Sequence, residues 1–355
     1  MTDLRGKCTT STVGEDDLET QYRLARSSAG VTFEPTRGRL RFTGKDVIPF
    51  LHRMLTNDIQ RLAPGQGCYA ALLAPNGRMI SDMRVIRGAE AVFLDTPAST
   101  ATELKAKLEQ FLFREDVHVS DLTGAVALLG LHGPAAASFV ARLTTIGQET
   151  LDALCEHGSA VAQFNGVPVQ IVMSRITGAH GFDLCVDAGA GAALHGELLR
   201  LGCVCLSPQI FKVMRIEAGI PLFPDDMDND TIPLEAGIED RAISQTKGCY
   251  PGQEIVARVL HRGGGRLARK LVGIVIEGGS APAAHALLQR DHNDIGRITS
   301  AAYSPGLGRI VALGYVRWES RAPGTEVEVH DEGEARHGVV AALPFLDAAD
   351  PSEAS

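Results

Sequence analysis

The chain has 355 residues, of which 45% are hydrophobic, with a net charge of −9 and a pI near 5.7. That length supplies two or three cores at roughly 100–200 residues per domain. So acidic a chain lacks the basic footprint that displaces counterions from duplex phosphates, which excludes DNA as its partner, and no apolar run approaches the ~20 residues of a membrane span.

The first predicted element is a strand at residues 37–43. Leu40 and Phe42 fall on one face and Arg37, Arg39 and Arg41 on the other, the alternation of a half-buried strand. Gly44 then turns the chain into a helix whose apolar stripe is Val47, Phe50, Leu51, Met54 and Leu55. Residues 83–87 and 91–95 read as a strand pair, and 101–113 as a second amphipathic helix. Another unit follows: a strand at 125–131, a helix opened by Pro134, strands at 167–173 and 182–187, and a helix at 194–201 ended by Gly202. Placing Gly44 over Gly133 sets Leu40 on Leu129, Phe42 on Leu131, Phe50 on Phe139 and Arg53 on Arg142. This reads as one design used twice, with a cleft between the copies as a natural ligand site. Residues 211–220 and 234–243 form a third stretch, joined by an acidic, proline-bounded loop. Gly263, Gly264 and Gly265 then mark a linker. Beyond it come short strands at 270–276, 295–301, 309–317, 326–330 and 338–343, the pattern of a small β domain.

Seven cysteines occur, at 8, 68, 155, 185, 203, 205 and 249. No CxxC pair is present, so neither a zinc centre nor a thioredoxin-like site is expected, and no metal site is assigned. A reduced, cytoplasmic setting is expected, with Cys203 and Cys205 as small buried hydrophobes. Residues 1–21 lack the apolar core of a signal peptide and the arginine-rich pattern of a transit peptide. The small polar tail from Asp347 is expected to fray.

One segment concentrates chemistry: Lys247-Gly248-Cys249-Tyr250-Pro251-Gly252-Gln253-Glu254. Its glycines and proline can hold a thiol at a fixed position. A lysine two residues away would favour the thiolate, which is the nucleophilic form. Glu254 could accept a proton or hold a cation. The opposing reading is a tight structural turn around an inert cysteine.

This segment, continued by Ile255-Val256-Ala257-Arg258, closely resembles the signature of the YgfZ iron–sulfur assembly family, which shares its fold with the glycine-cleavage T-protein. Further likeness lies in Leu55-Thr56-Asn57-Asp58, in residues 77–82, in Met214-Arg215-Ile216-Glu217-Ala218-Gly219-Ile220-Pro221, and in residues 295–316. The resemblance implies an α+β fold of two intertwined, ferredoxin-like folate-binding modules and a small C-terminal β-barrel, arranged as a ring. Module one would span 22–122, completed by 207–262. Module two would span 123–206, and the barrel 266–346. Carried over residue by residue, it implies Cys249, Lys247 and Asp82 as catalytic positions. Asp82, Arg215, Met54, Gln253 and Glu254 would contact tetrahydrofolate. Two departures stand out. Ser81 replaces one member of the T-protein's Asp-Asp pair. Ala179, in Thr177-Gly178-Ala179-His180-Gly181, replaces its pterin-binding glutamate, a charge-assisted hydrogen bond worth roughly 1.5–3 kcal/mol.

The implied function is a tetrahydrofolate-binding accessory factor for assembly or repair of iron–sulfur proteins, with folate and iron–sulfur clients or their assembly machinery as partners. The alternative is an aminomethyltransferase that moves a one-carbon unit to tetrahydrofolate, which is the activity expected if the chain turns over a substrate. A demethylase working with a flavin partner and a pure binding module complete the alternatives. The chain has no flavin-binding GxGxxG of its own.

Overall fold

The computed structural model describes residues 15–33, 37–261 and 266–346. The linker expected at Gly263 to Gly265 and the tail from Asp347 lie outside them. The chain opens with α1 (Glu15–Ser27) and β1 (Gly30–Phe33). A first series follows: β2 (Arg37–Thr43), α2 (Val47–Met54), β3 (Gly67–Leu73), β4 (Met79–Arg87), β5 (Val92–Pro97), α3 (Ala98–Glu109) and β6 (His118–Asp121). The second series is β7 (Val126–His132), α4 (Ala136–Leu143), α5 (Gln148–Asp152), β8 (Ser159–Phe164), β9 (Val167–Ser174), β10 (Gly181–Asp187), α6 (Ala188–Arg200) and β11 (Val204–Cys205). A connecting stretch carries α7 (Pro208–Glu217), α8 (Pro233–Ala236), α9 (Glu239–Ala242) and α10 (Gln253–His261). Last come β12 (Arg269–Ile276), β13 (Leu287–Arg290), β14 (Asn293–Ser304), β15 (Arg309–Arg317), β16 (Glu326–Asp331) and β17 (Glu334–Ala341).

The first series forms a sheet of order β3-β4-β5-β2-β6, and the second a sheet of order β8-β9-β10-β7-β1-β11. Strand for strand the two agree, except that β1 is inserted beside β7. There it pairs antiparallel with β7 and parallel with β11. The repeat read from the sequence is therefore structural, and the two units interleave. Its pivots match closely. Gly44 has φ +121° and Gly133 has φ +126°, a region closed to side chains with a Cβ. A Cβ on Gly44 would lie 2.0 Å from the carbonyl oxygen of Asp116, and one on Gly133 would lie 2.4 Å from that of Ala25. The helices they launch, α2 and α4, both pass into extended backbone at Leu55 and Thr144.

Each unit packs its helices on one sheet face. Leu40, Phe42, Phe50, Leu51, Val85 and Leu104 belong to the first core; Leu129, Phe139, Val140, Ile171, Leu184 and Leu194 belong to the second. The last six strands close a barrel, β12-β15-β14-β13-β16-β17, around Ile274, Leu288, Ile298 and Val329. A seam of Tyr22, Ile210, Met214, Leu271 and Leu313 fastens α1 and α7 to the outside of that barrel. The expected mixed fold with two sheeted modules and a C-terminal barrel is thus the one observed.

Two local expectations change. The polar face of β2 does not look into water: Arg39 is buried and only Arg41 is exposed, because the second sheet lies across that face. Cys203 is a buried thiol 3.3 Å from the Ala29 carbonyl oxygen, as expected of a small hydrophobe, whereas Cys205 is disulfide-bonded.

Gly44→Ala should destabilise the chain by at least about 2 kcal/mol, since a forbidden backbone conformation alone costs ~1–3 kcal/mol and the Asp116 carbonyl must also move. Gly196→Ala in α6, where an added carbon meets nothing, should instead stabilise by up to ~1 kcal/mol. Urea denaturation of the two variants checks the opposite signs.

Candidate functional site

The sheets of the two units face each other across charged side chains. Arg84 on β4 reaches Asp95 on β5 at 3.3 Å and forms a close ion pair with Asp183 on β10. Arg39 on β2 lies 3.2 Å from the same Asp95 and donates to Gln170 on β9. His132 on β7 sits 3.2 Å from the Thr32 hydroxyl of β1. All four charged residues are buried. Isolated charges there would cost several kcal/mol each, so the pairing is what makes this contact tenable. Burial works to raise Asp183, but Arg84 and then His132 outweigh it and hold the carboxyl below its usual range. Burial takes His132 down to about 4, against the pull of Asp183.

A narrow cleft with a cavity volume of about 50 Å³ opens beside this network. Its polar lining includes Arg37, Tyr69, Asp82, His157, Ser174 and Arg241, and its apolar lining includes Met83, Ile176, Ile220, Leu222 and Ile238. Asp82 and Arg84 are two apart on β4, so they share the face turned to the second sheet. Ser81 turns the other way and bonds Thr96 at 2.9 Å and Thr100 at 3.2 Å beneath α3. The Tyr69 hydroxyl donates to Asp82 Oδ2 at 2.6 Å. Burial raises the Asp82 carboxyl above its ordinary range, opposed by the Tyr69 hydrogen bond and then by Arg37. Tyr69 is pushed up in turn, by burial and then by the Asp82 charge. His157 falls to about 3 through burial, then through Arg84 and Arg241, so its ring is neutral at neutral pH. His157 Nδ1 and Arg37 Nε are buried without a hydrogen-bond partner among the described residues. At the mouth, Arg241 lies over the Tyr69 ring, 5.5 Å from its centroid, and pairs with Glu156 at 2.9 Å.

The GCVT N-terminal domain family matches residues 11–247, and the glycine cleavage T-protein C-terminal barrel domain matches residues 269–347. The chain belongs to the glycine-cleavage T-protein family. It is 29% identical over 331 residues to an aminomethyltransferase of Nostoc sp., covering 92% of this chain and 86% of the relative. An aminomethyltransferase of Streptomyces coelicolor is 30% identical, with 92% and 88% covered. A putative chloroplastic transferase of Arabidopsis thaliana is 27% identical, with 90% and 71% covered. The crystal structure of aminomethyltransferase T of the glycine cleavage system from Bartonella henselae superposes with a TM-score of 0.83 at 25% identity, covering 93% of this chain and 90% of that one. The protein is aminomethyltransferase-like along nearly its whole length.

Within this T-protein frame the residues picked from the sequence separate. Asp82 lines the cleft; Met54, Arg215, Lys247, Cys249, Gln253 and Glu254 do not. Met54 is buried in the first core against its helix. Arg215 is buried, the largest side chain so enclosed among the described residues. Its guanidinium donates to Asp226 Oδ2 and the Ile220 carbonyl, both at 2.7 Å, and to Ser300 at 2.9 Å. Asp226 also accepts from Thr299 at 2.5 Å, so Arg215 ties α7 to the barrel.

Lys247 is spoken for as well. Its ammonium donates to the His52 and Leu55 carbonyls at the C-terminal end of α2 and lies 5.0 Å from the Tyr250 ring centroid. A cation on those carbonyls satisfies acceptors that the helix leaves open. Burial takes Lys247 down to about 8, against the opposing charge of Asp58. Cys249 is exposed, at a position set by its neighbours: Tyr250 is buried beneath it, and Gly252, at φ +79°, lies against the Ala74 carbonyl. Gln253 opens α10, and Glu254 is exposed and pairs with Arg258 one turn on, at 3.1 Å.

Four cleft residues, Tyr69, His157, Arg175 and Arg241, carried no sequence signal. Arg37 had one, as the polar side of an alternating strand.

An acid whose folded pKa is raised stabilises the fold below its unfolded pKa and costs stability as pH rises toward the folded pKa. Asp82 therefore works against stability at neutral pH. Asp82→Asn should raise Tm at pH 7, and the gain should shrink toward pH 3, where unfolded carboxyls (about 3.9) take up their protons. Paired thermal melts at the two pH values check it. A variant no more stable than the parent at pH 7 would show that Asp82 bears no burial penalty.

Proposed function

We propose that this T-protein-family chain binds a tetrahydrofolate in the cleft between its two sheets and acts as an accessory factor for assembly or repair of iron–sulfur proteins, with Cys249 turned outward to the client. One observation carries this reading: the cleft and the thiol occupy different places. A thiol meant for a small ligand would line the cleft, whereas Cys249 is exposed on a loop fixed by Tyr250, Gly252 and Lys247. That geometry suits a macromolecular partner. A single cysteine does not hold a cluster, which takes four thiolates as a rule, so further ligands would come from the client.

The cleft suits a reduced folate by its chemistry. Its apolar side chains offer surfaces to flat rings, and its arginines offer partners to carboxylates. His157 Nδ1 and Arg37 Nε are two buried groups still without a partner among the described residues. Tetrahydrofolate supplies two ring-linked amines able to carry a one-carbon unit. Burial raises the affinity of the Asp82 carboxyl for a proton, which suits it to accept one from a bound amine. The Tyr69 hydroxyl orients that carboxyl and, being hard to ionise, keeps its own proton. Arg37, near Asp82, favours its charged form.

A second reading is supported by the same Asp82–Tyr69 pair and by relatives named aminomethyltransferase. On it, the chain would transfer a one-carbon unit from an aminomethyl carrier to tetrahydrofolate.

Calorimetric titration of tetrahydrofolate into the full chain and its Cys249→Ala and Asp82→Asn variants, beside an aminomethyl-carrier transfer assay and complementation of iron–sulfur enzyme activity, separates the readings. We expect Cys249→Ala to bind folate like the parent and to fail in complementation. Asp82→Asn should bind about tenfold or more weakly, the cost of losing one charge-assisted hydrogen bond. Robust methylene transfer that survives Cys249→Ala would establish the transferase reading instead.

A further inference from the structure

A second and larger cavity, of about 590 Å³, lies where α7 and the loop after it meet the barrel. Its volume is within the roughly 300–1,000 Å³ usual for small-molecule sites. One wall is a face of α7, with Phe211, Lys212 and Arg215 at helical spacing. The barrel supplies the opposite wall. Arg297 on β14 and Tyr315 on β15 are cross-strand partners, so they share one face of the sheet. The loop closes a third side with Leu222, Pro224 and Asp225. A bulge between Ile298 and Ser300 turns two adjacent residues the same way. Thr299 donates to Asp226, and Ser300 accepts from Arg215. One polar group is left over. The Tyr315 hydroxyl is buried and has no hydrogen-bond partner among the described residues. The Thr231 hydroxyl near it donates to Asp228 instead, at 2.8 Å.

The charges around this cavity balance in number, Lys212, Arg215 and Arg297 against Asp225, Asp226 and Asp228. They do not balance in pairs. Arg215 and Asp226 neutralise each other at the base, at 2.7 Å. Asp228 accepts from Thr231 and from the Asp230 N–H, and Arg297 stands 3.7 Å from it, past hydrogen-bond reach. Lys212 and Asp225 are exposed and make no hydrogen bond or ion pair with any described residue, each other included. The rim thus carries a free cation on the helix, a loosely held one on the barrel and a free carboxylate on the loop. We infer that this cavity binds a free α-amino acid with an aromatic side chain. The ligand carboxylate meets Lys212 and Arg297, and the Tyr315 hydroxyl, on the same strand face as Arg297, donates to it. The ammonium meets Asp225, and the ring lies on Phe211 and Leu222. A polyanion is disfavoured here, because Asp225 and Asp228 repel it. A purely apolar ligand leaves both rim charges unused. The site stands apart from the folate reading and draws on neither Asp82 nor Cys249.

The test is calorimetric titration of the full chain with L-phenylalanine, L-phenylalaninamide and 3-phenylpropionate, at about pH 6 where the amines carry their protons. The amide lacks the carboxylate and the propionate lacks the ammonium, so each ratio of dissociation constants reads one end of the site. The parent chain should bind L-phenylalanine about fivefold more tightly than either analogue, the upper end for a solvent-exposed ion pair. Lys212→Gln should shrink the ratio to the amide to about twofold, because Arg297 remains, and leave the ratio to the propionate unchanged. Asp225→Asn should do the converse and bring phenylpropionate level with L-phenylalanine. Both residues are exposed and without partners, so both variants should keep the parent's Tm. Tyr315→Phe should melt no lower than the parent, since the hydroxyl bonds nothing, yet bind L-phenylalanine about threefold or more weakly. Asp82→Asn, in the cleft between the sheets, should leave every constant as it was. Dissociation constants above about 10 mM for L-phenylalanine and L-tryptophan alike overturn the inference. So does an analogue that the parent binds as tightly as L-phenylalanine, which marks a site for a plain anion or a plain amine. A pair of ratios that neither rim variant moves, or binding lost in Asp82→Asn alone, places the ligand elsewhere and overturns it as well.

Discussion

The ion pair between Arg84 and Asp183 is the constraint on which the molecule turns. It joins a strand of the first sheet to a strand of the second, and both charges are buried. Two sheets meeting through apolar side chains would close upon each other and leave no cleft. Two sheets meeting through charges must pair every one of them, which fixes their relative placement to within hydrogen-bond tolerance. Asp95 and Arg39 extend the pairing across the first sheet. The cleft is the edge of this polar contact, where the Tyr69 hydroxyl meets Asp82 and where Arg37 and His157 each keep a buried nitrogen without a hydrogen-bond partner among the described residues.

Much of the fold was legible in the sequence, because its signals are local. The strand alternation at Leu40 and Phe42, the helical stripe from Val47 to Leu55 and the glycine pivots at 44 and 133 each depend on a few adjacent residues. The site was less legible, because its members come from β2, β3, β4, the loop before β8 and α9, and nothing local announces their meeting. Arg37 and Arg39 showed why. On β2 alone they read as a solvent face, and only the second sheet makes that face an interior one. Arg215 showed the converse. Its pattern suggested an anion site, but the carboxylate it meets, Asp226, belongs to the protein itself.

The Lys247 to Glu254 segment drew attention as a reactive loop, and the structure gives most of its residues mechanical duties. Lys247 closes the end of α2, Tyr250 anchors a core, Gly252 admits a neighbouring carbonyl and Gln253 begins a helix. The residue left without such a duty is Cys249. A motif of this kind can thus be almost wholly scaffold around one exposed atom, with the chemistry decided by what approaches that atom.

The insertion of β1 has a consequence for how the molecule comes into being. Gly30 pairs with His132 and with Val204, so an element made early by the ribosome waits for partners made much later. The first sheet, all of whose strands lie between Arg37 and Asp121, can close on its own. The second cannot be completed until synthesis has passed Cys205. Because long-range pairings of this kind form slowly, vectorial folding runs in one order: first sheet, then second sheet with β1 taken in, then barrel. Two walls of the cleft meet at the second of these steps, when the second unit reaches the charged face already waiting for it, and Ile220, Ile238 and Arg241 join them from the connecting stretch made afterwards.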